Sequence, residues 1–373
     1  MGRQVTLKTP PVARPLGVAQ PSPVGTARTL LLAGVLLCLL TVGMTGFAAY
    51  LTITVAETGV WKTALGAATL VVVVLALLTA RPLISGFRQQ VASTTAAEAG
   101  DLVSARKFRA RAAQSGWTAL GSCLPLMFIA TFTMFLLAND HAVQTTFFDA
   151  QFMAQSVGDV TVAFGENIKI ALLAEAFVLV WALVIALARL APSKAGRPLR
   201  WLATAYVDVF RAIPSIIVIY LVGFGLPLAG VPILSEMGPM WSAVLALTLT
   251  YGAYVAEVYR AGIEGIHWSQ VSAARSLGLS YGKTMRHVIV PQAVRKVTPP
   301  LLNDFIGLQK DTALVTIIGT VDAFTQAKMY SSNYFNLSSV TVVAILFIII
   351  TIPQTRFVDR LLERDARRQL SKG

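Results

Sequence analysis

Long apolar runs dominate the chain, at about 29–52, 61–80, 117–138, 167–190, 212–232, 240–259, 301–323 and 338–355. Each approaches the roughly 20 residues that a helix needs to cross the hydrocarbon core of a bilayer. A backbone in lipid must satisfy its own polar groups, so the pattern predicts about eight transmembrane helices in an all-α integral membrane protein. The least regular run, 301–323, opens with Asn303 and Asp304 and carries Gln309, Lys310 and Asp311. Residues 1–28 are polar and rich in proline, which predicts a cytoplasmic tail. The run that follows is too long for a signal peptide, and no small-x-small cleavage site sits close behind it, so it predicts an anchor.

Composition agrees with this reading. Hydrophobic residues make up 55% of the chain and charged residues 13%, and the mean hydropathy is +0.67. A soluble core of this length would have too little polar surface to cover itself.

Charge placement then orients the helices. With the N-terminus inside, only Lys62, Lys169 and Lys328 of the 31 basic residues fall at the outer face, and Arg211 and Lys310 lie within or at the edge of runs. All the others fall in inside segments, which is the positive-inside pattern. An even number of spans with both termini cytoplasmic fits it. The formal charge of +13 therefore follows from topology, and no nucleic-acid partner is called for.

Composition also marks a boundary near residue 150. Residues 29–150 hold three runs and a basic loop, Ser85 to Trp117, with Gly100-Asp101 followed by Lys107, Arg109 and Arg111. That loop predicts an amphipathic cytoplasmic helix lying against the headgroups. Residues 151–373 form a second region.

Within the second region lies QVSAARSLGLSYGKTMRHVIVPQ, Gln270 to Gln292, a charged stretch between apolar runs. It resembles the EAA loop of ABC importer permeases: Glu-Ala-Ala, three residues, Gly, nine residues, then Ile-x-Leu-Pro. Ala273, Ala274, Gly278, Val288, Val290 and Pro291 fall on that spacing, and Ser272 stands where the family has glutamate. The resemblance extends to the polar amino-acid group of that family through NIKIALLAEAFVLVWALVIALARL, YVDVFRAIPSI, AYVAEVYRAGIEGI and PPLLNDFIGLQKDTALVTIIG, in that order.

The resemblance implies a five-helix type I ABC importer permease core preceded by three extra helices, with a coupling loop at about 262–298. It implies a bacterial plasma-membrane subunit forming half of a translocation path. A second permease subunit, the same chain or another, would complete the path. Cytoplasmic ABC ATPase subunits would consume the ATP, an extracytoplasmic amino-acid-binding protein would deliver substrate, and this chain would bind no cofactor itself. Small residues at three loop positions would admit a partner close to the helix backbone, and Pro291 would end the loop before the next span.

Charges inside a span cost about 2.5–3.5 kcal/mol each on insertion scales and so ask for partners or a wet cavity. Asp208 and Arg211, three apart, suit a mutual pair, with Pro214 opening the helix just beyond; Glu257 and Arg260 suit a helix-end pair. Lys310 and Asp311 suit either structural pairing, with Asp304 or another span, or the two ends of an amino-acid zwitterion. Tyr254 and Glu257 join them as candidates for a substrate path. Tyr251, Thr248 and Thr250 suit either that path or simple packing.

Gly282-Lys283-Thr284 resembles the end of a phosphate-binding loop, but Leu277 stands where that motif needs glycine. Cys38 and Cys123 lie inside runs and His141, His267 and His287 are scattered, so a metal site is not expected. No nucleophile with a positioned base appears, so the chain is not expected to be an enzyme. A self-sufficient secondary transporter or channel is the alternative, and it would normally show an internal inverted repeat. A sensor or anchor role for residues 1–150 leaves the loop at 270–292 without purpose.

Overall fold

The computed structural model describes residues 26–55, 60–137, 142–191 and 194–370. All the regular elements among the described residues are helices, with no strand. The chain divides into two units between Gln144 and Thr145, close to the composition boundary near residue 150.

The first unit contains α1 (Thr26–Val55), α2 (Val60–Leu78), α3 (Ala80–Glu98) and α4 (Leu102–Leu136). Its core joins Leu31 and Cys38 of α1 to Leu83 of α3 and to Ala112, Ala113, Ala119 and Cys123 of α4. Small side chains on α4 let three helices meet at short range, where dispersion contacts replace lipid contacts. Thr79, between α2 and α3, bonds back to the Ala76 carbonyl at 2.6 Å and meets the Cys38 Sγ at 3.1 Å.

The basic loop predicted at Ser85 to Trp117 is not one helix on a surface; it is the tip of an antiparallel hairpin of α3 and α4. Gly100 turns the chain in the left-handed region, at φ 81°. Asp101 then caps α4 by accepting from the Ser104 N–H at 3.0 Å. Ser93 on α3 donates to the Ala105 carbonyl on α4 at 2.9 Å, fixing the register. At 35 residues, α4 is about 52 Å long, well beyond a hydrocarbon core of roughly 30 Å.

The second unit, from Thr145, contains the end of α5 (Ala142–Phe147), α6 (Ala150–Arg189), α7 (Arg197–Ala212), α8 (Ser215–Tyr220) and α9 (Leu226–Leu228). It continues with α10 (Pro239–Glu264), α11 (Trp268–Ser276), α12 (Tyr281–Thr284), α13 (Val290–Asp311), α14 (Ala323–Tyr334) and α15 (Ser338–Leu370). At its centre α10 packs against α6, α7, α8 and α13. The core there includes Ile170, Val178, Ile219, Leu247, Val255, Leu308 and Val315. A smaller core, with Val160, Phe164, Ala323, Ala327, Val342 and Val343, joins α6 to α14 and α15.

Six helices among the described residues are long and apolar enough to cross a membrane, or seven if one bent pair counts as a span. The expected eight is an approximate count, and two of its runs lie outside these six. The run at 212–232 belongs to the bent pair: α7 and the segment Ser215–Leu228 meet at 104°. Ile213 and Pro214 are extended there, as a residue before proline and a proline ring favour. The run at 301–323 is the end of α13, a 3-10 segment Thr312–Ile318 and a left-handed Gly319.

Candidate functional site

The segment 265–290 is a folded connector between α10 and α13. Its base is held by Lys296 of α13, whose Nζ donates to the Gly265 carbonyl at 2.6 Å. His267 caps α11 through Nδ1, accepting from the Ser269 N–H at 3.3 Å. Gly278 then ends α11 with φ at 80°. Its N–H donates to the Arg275 carbonyl at 3.0 Å and that of Leu279 to the Ala274 carbonyl at 3.2 Å. This is the Schellman arrangement, which places glycine at the left-handed position. The Gly278 spacing therefore has a reason within this chain, before any partner is considered.

The small residues do not all face outward. Ala273 and Gly278 are exposed, but Ala274 is buried within the chain. Ser272 is exposed, Val288 half-buried and Val290 exposed. The same connector exposes large apolar side chains that the spacing did not single out: Trp268 at 71% exposure, Leu277 at 82% and Tyr281 at 64%. Such residues on a short polar connector are unusual for a surface that meets only water.

Pro291 is the second residue of α13, where the connector gives way to the helix, and the π-helical turn Met285–Ile289 lies just before it. Gln292 reaches back to the Val288 carbonyl at 2.9 Å across the same turn. Gly282-Lys283-Thr284 lies in the short helix α12, with Thr284 buried, so it forms no phosphate-binding loop.

Above the connector lies an ion cluster. Glu257 on α10 pairs with both Arg189 at the end of α6 and Arg260, and Arg260 also pairs with Glu264. The expected Glu257 and Arg260 pair is present. The contribution of Arg189, 68 residues away, carries no local signal in the sequence.

The expected pair of Asp208 and Arg211 is not formed: both are exposed, and no ion pair joins them among the described residues. Instead the Arg211 guanidinium lies over the Tyr254 ring at 5.6 Å, a cation–π contact that competes with a surface ion pair. The Tyr254 hydroxyl donates to the Arg211 carbonyl at 3.4 Å. Arg211 also acts electrostatically on Asp304 of α13, and Asp304 on Glu175 of α6. Asp311 accepts from the Tyr251 hydroxyl at 3.0 Å, and Lys310 is exposed with no ion pair to Asp304.

Two buried carboxylate oxygens here have no hydrogen-bond partner within the chain: Glu175 Oε2 and Asp304 Oδ2. The structure thus gathers Tyr254, Asp304, Arg211 and Glu175, leaves Glu257 engaged in the ion cluster, and adds Glu175, which the sequence reading passed over. A carboxylate within an apolar run was the available signal.

A second polar constellation, also unforeseen, lies further along α6. Asn167, Thr312 and Asp322 are completely buried. The Asn167 amide donates to Asp322 Oδ2 at 3.1 Å and Thr312 Oγ1 at 3.2 Å, while its carbonyl accepts from the Ala323 N–H at 3.0 Å. Asp322 caps α14 by accepting from Thr325, at 3.0 Å from the backbone and 2.7 Å from the hydroxyl. Among the described residues no group of histidine, cysteine and carboxylate side chains could hold a metal ion.

The comparisons with known proteins follow this geometry. The family described as "Binding-protein-dependent transport system inner membrane component" matches residues 182–368. The probable glutamine ABC transporter permease protein GlnM of Bacillus subtilis (strain 168) is 37% identical over 45% of this chain and 76% of its own length. The arginine transport system permease protein ArtQ of the same organism is 36% identical over 45% of this chain and 75% of its own. A solved structure described as an amino acid ABC transporter with histidines superposes with a TM-score of 0.53 and 28% identity, over 58% of this chain and 98% of that one. From the connector, the helix order around it and these likenesses, it follows that the chain belongs to the binding-protein-dependent transport system inner membrane component family, the permeases of ABC importers.

Proposed function

We propose that this chain is the permease subunit of an ATP-driven importer of polar amino acids, with the connector 265–290 as the surface that receives a separate ATPase. The observation that carries this reading is that one short connector exposes Trp268, Leu277 and Tyr281 together with Ala273 and Gly278. Burying such side chains supplies the association energy, at about 25 cal/mol per Å² of apolar surface, and the Schellman turn presents them in one rigid shape. With serine at position 272, the contact is expected to rest on shape more than on an ion pair.

The cation-rich end of the second unit, with Arg189, Arg260 and the connector, faces the cytoplasm in this reading, as basic residues favour. The ATPase works there, and a binding protein delivers substrate at the opposite end. A second permease subunit closes the path.

Substrate passes the belt of Glu175, Asp304, Arg211 and Tyr254. Two carboxylates with bare buried oxygens suit an ammonium group, and the guanidinium of Arg211 suits a carboxylate. Lys310 and Asp311 remain candidates for the same path. Glu257, bound by two arginines, serves instead to hold α6 to α10 at the inner end.

The reading is tested by reconstituting the chain, with whatever ATPase co-purifies from its native membranes, into proteoliposomes. Uptake of a labelled polar amino acid that needs both ATP and a binding protein supports it. Uptake by the chain alone, without ATP, contradicts it and makes a secondary transporter the better account.

A further inference from the structure

We propose that the outward face of α4 in the first unit, from Val103 to Gln114, is a docking surface for an acidic helix of a soluble cytoplasmic protein. The proposed transport function supplies only the side of the membrane; the surface itself comes from the hairpin of α3 and α4. Trp117–Leu136 is about 30 Å of helix, enough for the hydrocarbon core, and Trp117 is 62% exposed, as suits an aromatic ring at the interface. Leu102–Gly116 therefore carries α4 about 22 Å beyond the core. The other arm of the hairpin stands up with it: Gly66–Glu98 runs as one helix of span length, so α3 continues α2 and does not lie down on the headgroups.

Six basic side chains, Arg81, Arg88, Arg106, Lys107, Arg109 and Arg111, stand on this hairpin against two acidic ones, Glu98 and Asp101. None of the six forms an ion pair among the described residues, and Asp101 is engaged in capping α4. Arg106, Lys107 and Arg111 share one face with Val103, Ala110 and Gln114, at three- and four-residue intervals, and all six are exposed. Lys107 and Arg111 are four apart, and like charges at that spacing work against a helix. An external anion removes that repulsion.

The geometry points to the kind of anion. A helical side chain leans toward its own N-terminus, which in α4 is the tip of the hairpin, so Arg106 and Lys107 reach away from the bilayer. They stand about 15 Å from Trp117 along the axis, past a headgroup layer of about 5–8 Å. Residues 1–25 contain no Asp or Glu, and a second copy of the face would bring cations against cations, so neither supplies the charge. Val103, 80% exposed, and the small Ala110 lie among the cations. They suit the side chains of a packed helix, and a phosphate backbone would leave them without a contact. The face is also held in one shape: Ser93 fixes the register on Ala105, and Gly86 brings α3 so close that an added Cβ would meet that of Ser115 at 3.0 Å. Such preorganisation lowers the cost of binding.

The test uses the full chain in intact cells. The photo-crosslinking residue p-benzoylphenylalanine replaces Ala110 in one variant and Gln114 in another, and the cross-linked peptides are sequenced by mass spectrometry. Both variants should join the same cytoplasmic protein through a helical stretch with Asp or Glu at three- or four-residue spacing. In inverted membrane vesicles supplied with cytosol, raising NaCl from 0.1 M to 1 M shortens the Debye length from about 10 Å to about 3 Å and should cut the adduct severalfold. Lys107→Glu with Arg111→Glu should cut it about tenfold, and reversing the acids of the captured stretch to lysine should restore it in that background.

Adducts to phospholipid alone, to nucleic acid, to a second copy of this chain or to an extracytoplasmic protein would each overturn the docking surface. So would an adduct indifferent to salt and to charge reversal, or no adduct in either variant. ATP-driven uptake in proteoliposomes made from the same cells separates the two readings. Uptake without the acidic adduct removes the docking surface alone, whereas the adduct without ATP-driven uptake keeps the surface and removes the importer.

Discussion

Two regions of the second unit hold α6 to its neighbours by opposite means. Midway along α6, Asn167, Thr312 and Asp322 form a completely buried hydrogen-bonded lock. At the end of α6, Arg189, Glu257, Arg260 and Glu264 form a partly exposed ion cluster. The buried lock has no water to replace a lost partner, so each deletion strands a polar group. The ion cluster has redundancy: Glu257 meets two arginines and Arg260 two glutamates, and solvent screens what remains. The lesson is that the lock is built to stay fixed, whereas the ion cluster can rearrange, which suits the region next to the connector.

Variants sharpen that contrast. Asn167→Leu should have the largest effect, lowering stability by about 3 kcal/mol, because the Asp322 carboxylate and the Ala323 N–H lose their partner together. Thermal unfolding in detergent would show it, and a melting temperature equal to that of the parent would mean the lock is dispensable. Glu257→Gln should cost about 1–2 kcal/mol by the same measurement, since two cations lose one shared anion at a half-wet site. Gly278→Ala should cost about 1 kcal/mol locally, the penalty of a left-handed alanine, and Gly278→Asn clearly less. The readout is binding of the co-purifying ATPase in each variant, and equal retention by both would show that the turn does not shape the contact. Glu264→Gln should change stability by less than about 0.5 kcal/mol, because its ion pair is the most exposed of the cluster.

The contrast also marks what the sequence can reveal. Pro214 announced a break between α7 and α8, and the chain does bend there, because a proline acts on its immediate neighbours. The spacing to Gly278 was legible for the same reason: a left-handed helix end is a local requirement. The all-helical, membrane-spanning class followed from run lengths alone.

Contacts between distant segments were not legible. Asn167 meets Asp322 across 155 residues, and Arg189 meets Glu257 across 68; no periodicity encodes either. Arg211 was expected to turn to Asp208, its helix neighbour, and was drawn instead to the Tyr254 ring of another helix. Ala274 was read as partner-facing because its spacing fits, yet its own chain buries it. The π-helical turn Met285–Ile289 just before Pro291 has no sequence signature. The basic stretch at Ser85 to Trp117 looked like one amphipathic helix since Gly100-Asp101 was not taken as the turn of a hairpin.

The central claim is that the connector patch receives the ATPase. Leu277→Glu tests it most directly, because Leu277 is 82% exposed and the substitution places a charge on the patch without touching Gly278. The measurement is the amount of ATPase that co-purifies with the variant from native membranes, at equal yield of folded permease. The account predicts that the ATPase is lost and that ATP-driven uptake stops. A variant that keeps its ATPase and transports at the parental rate would contradict it.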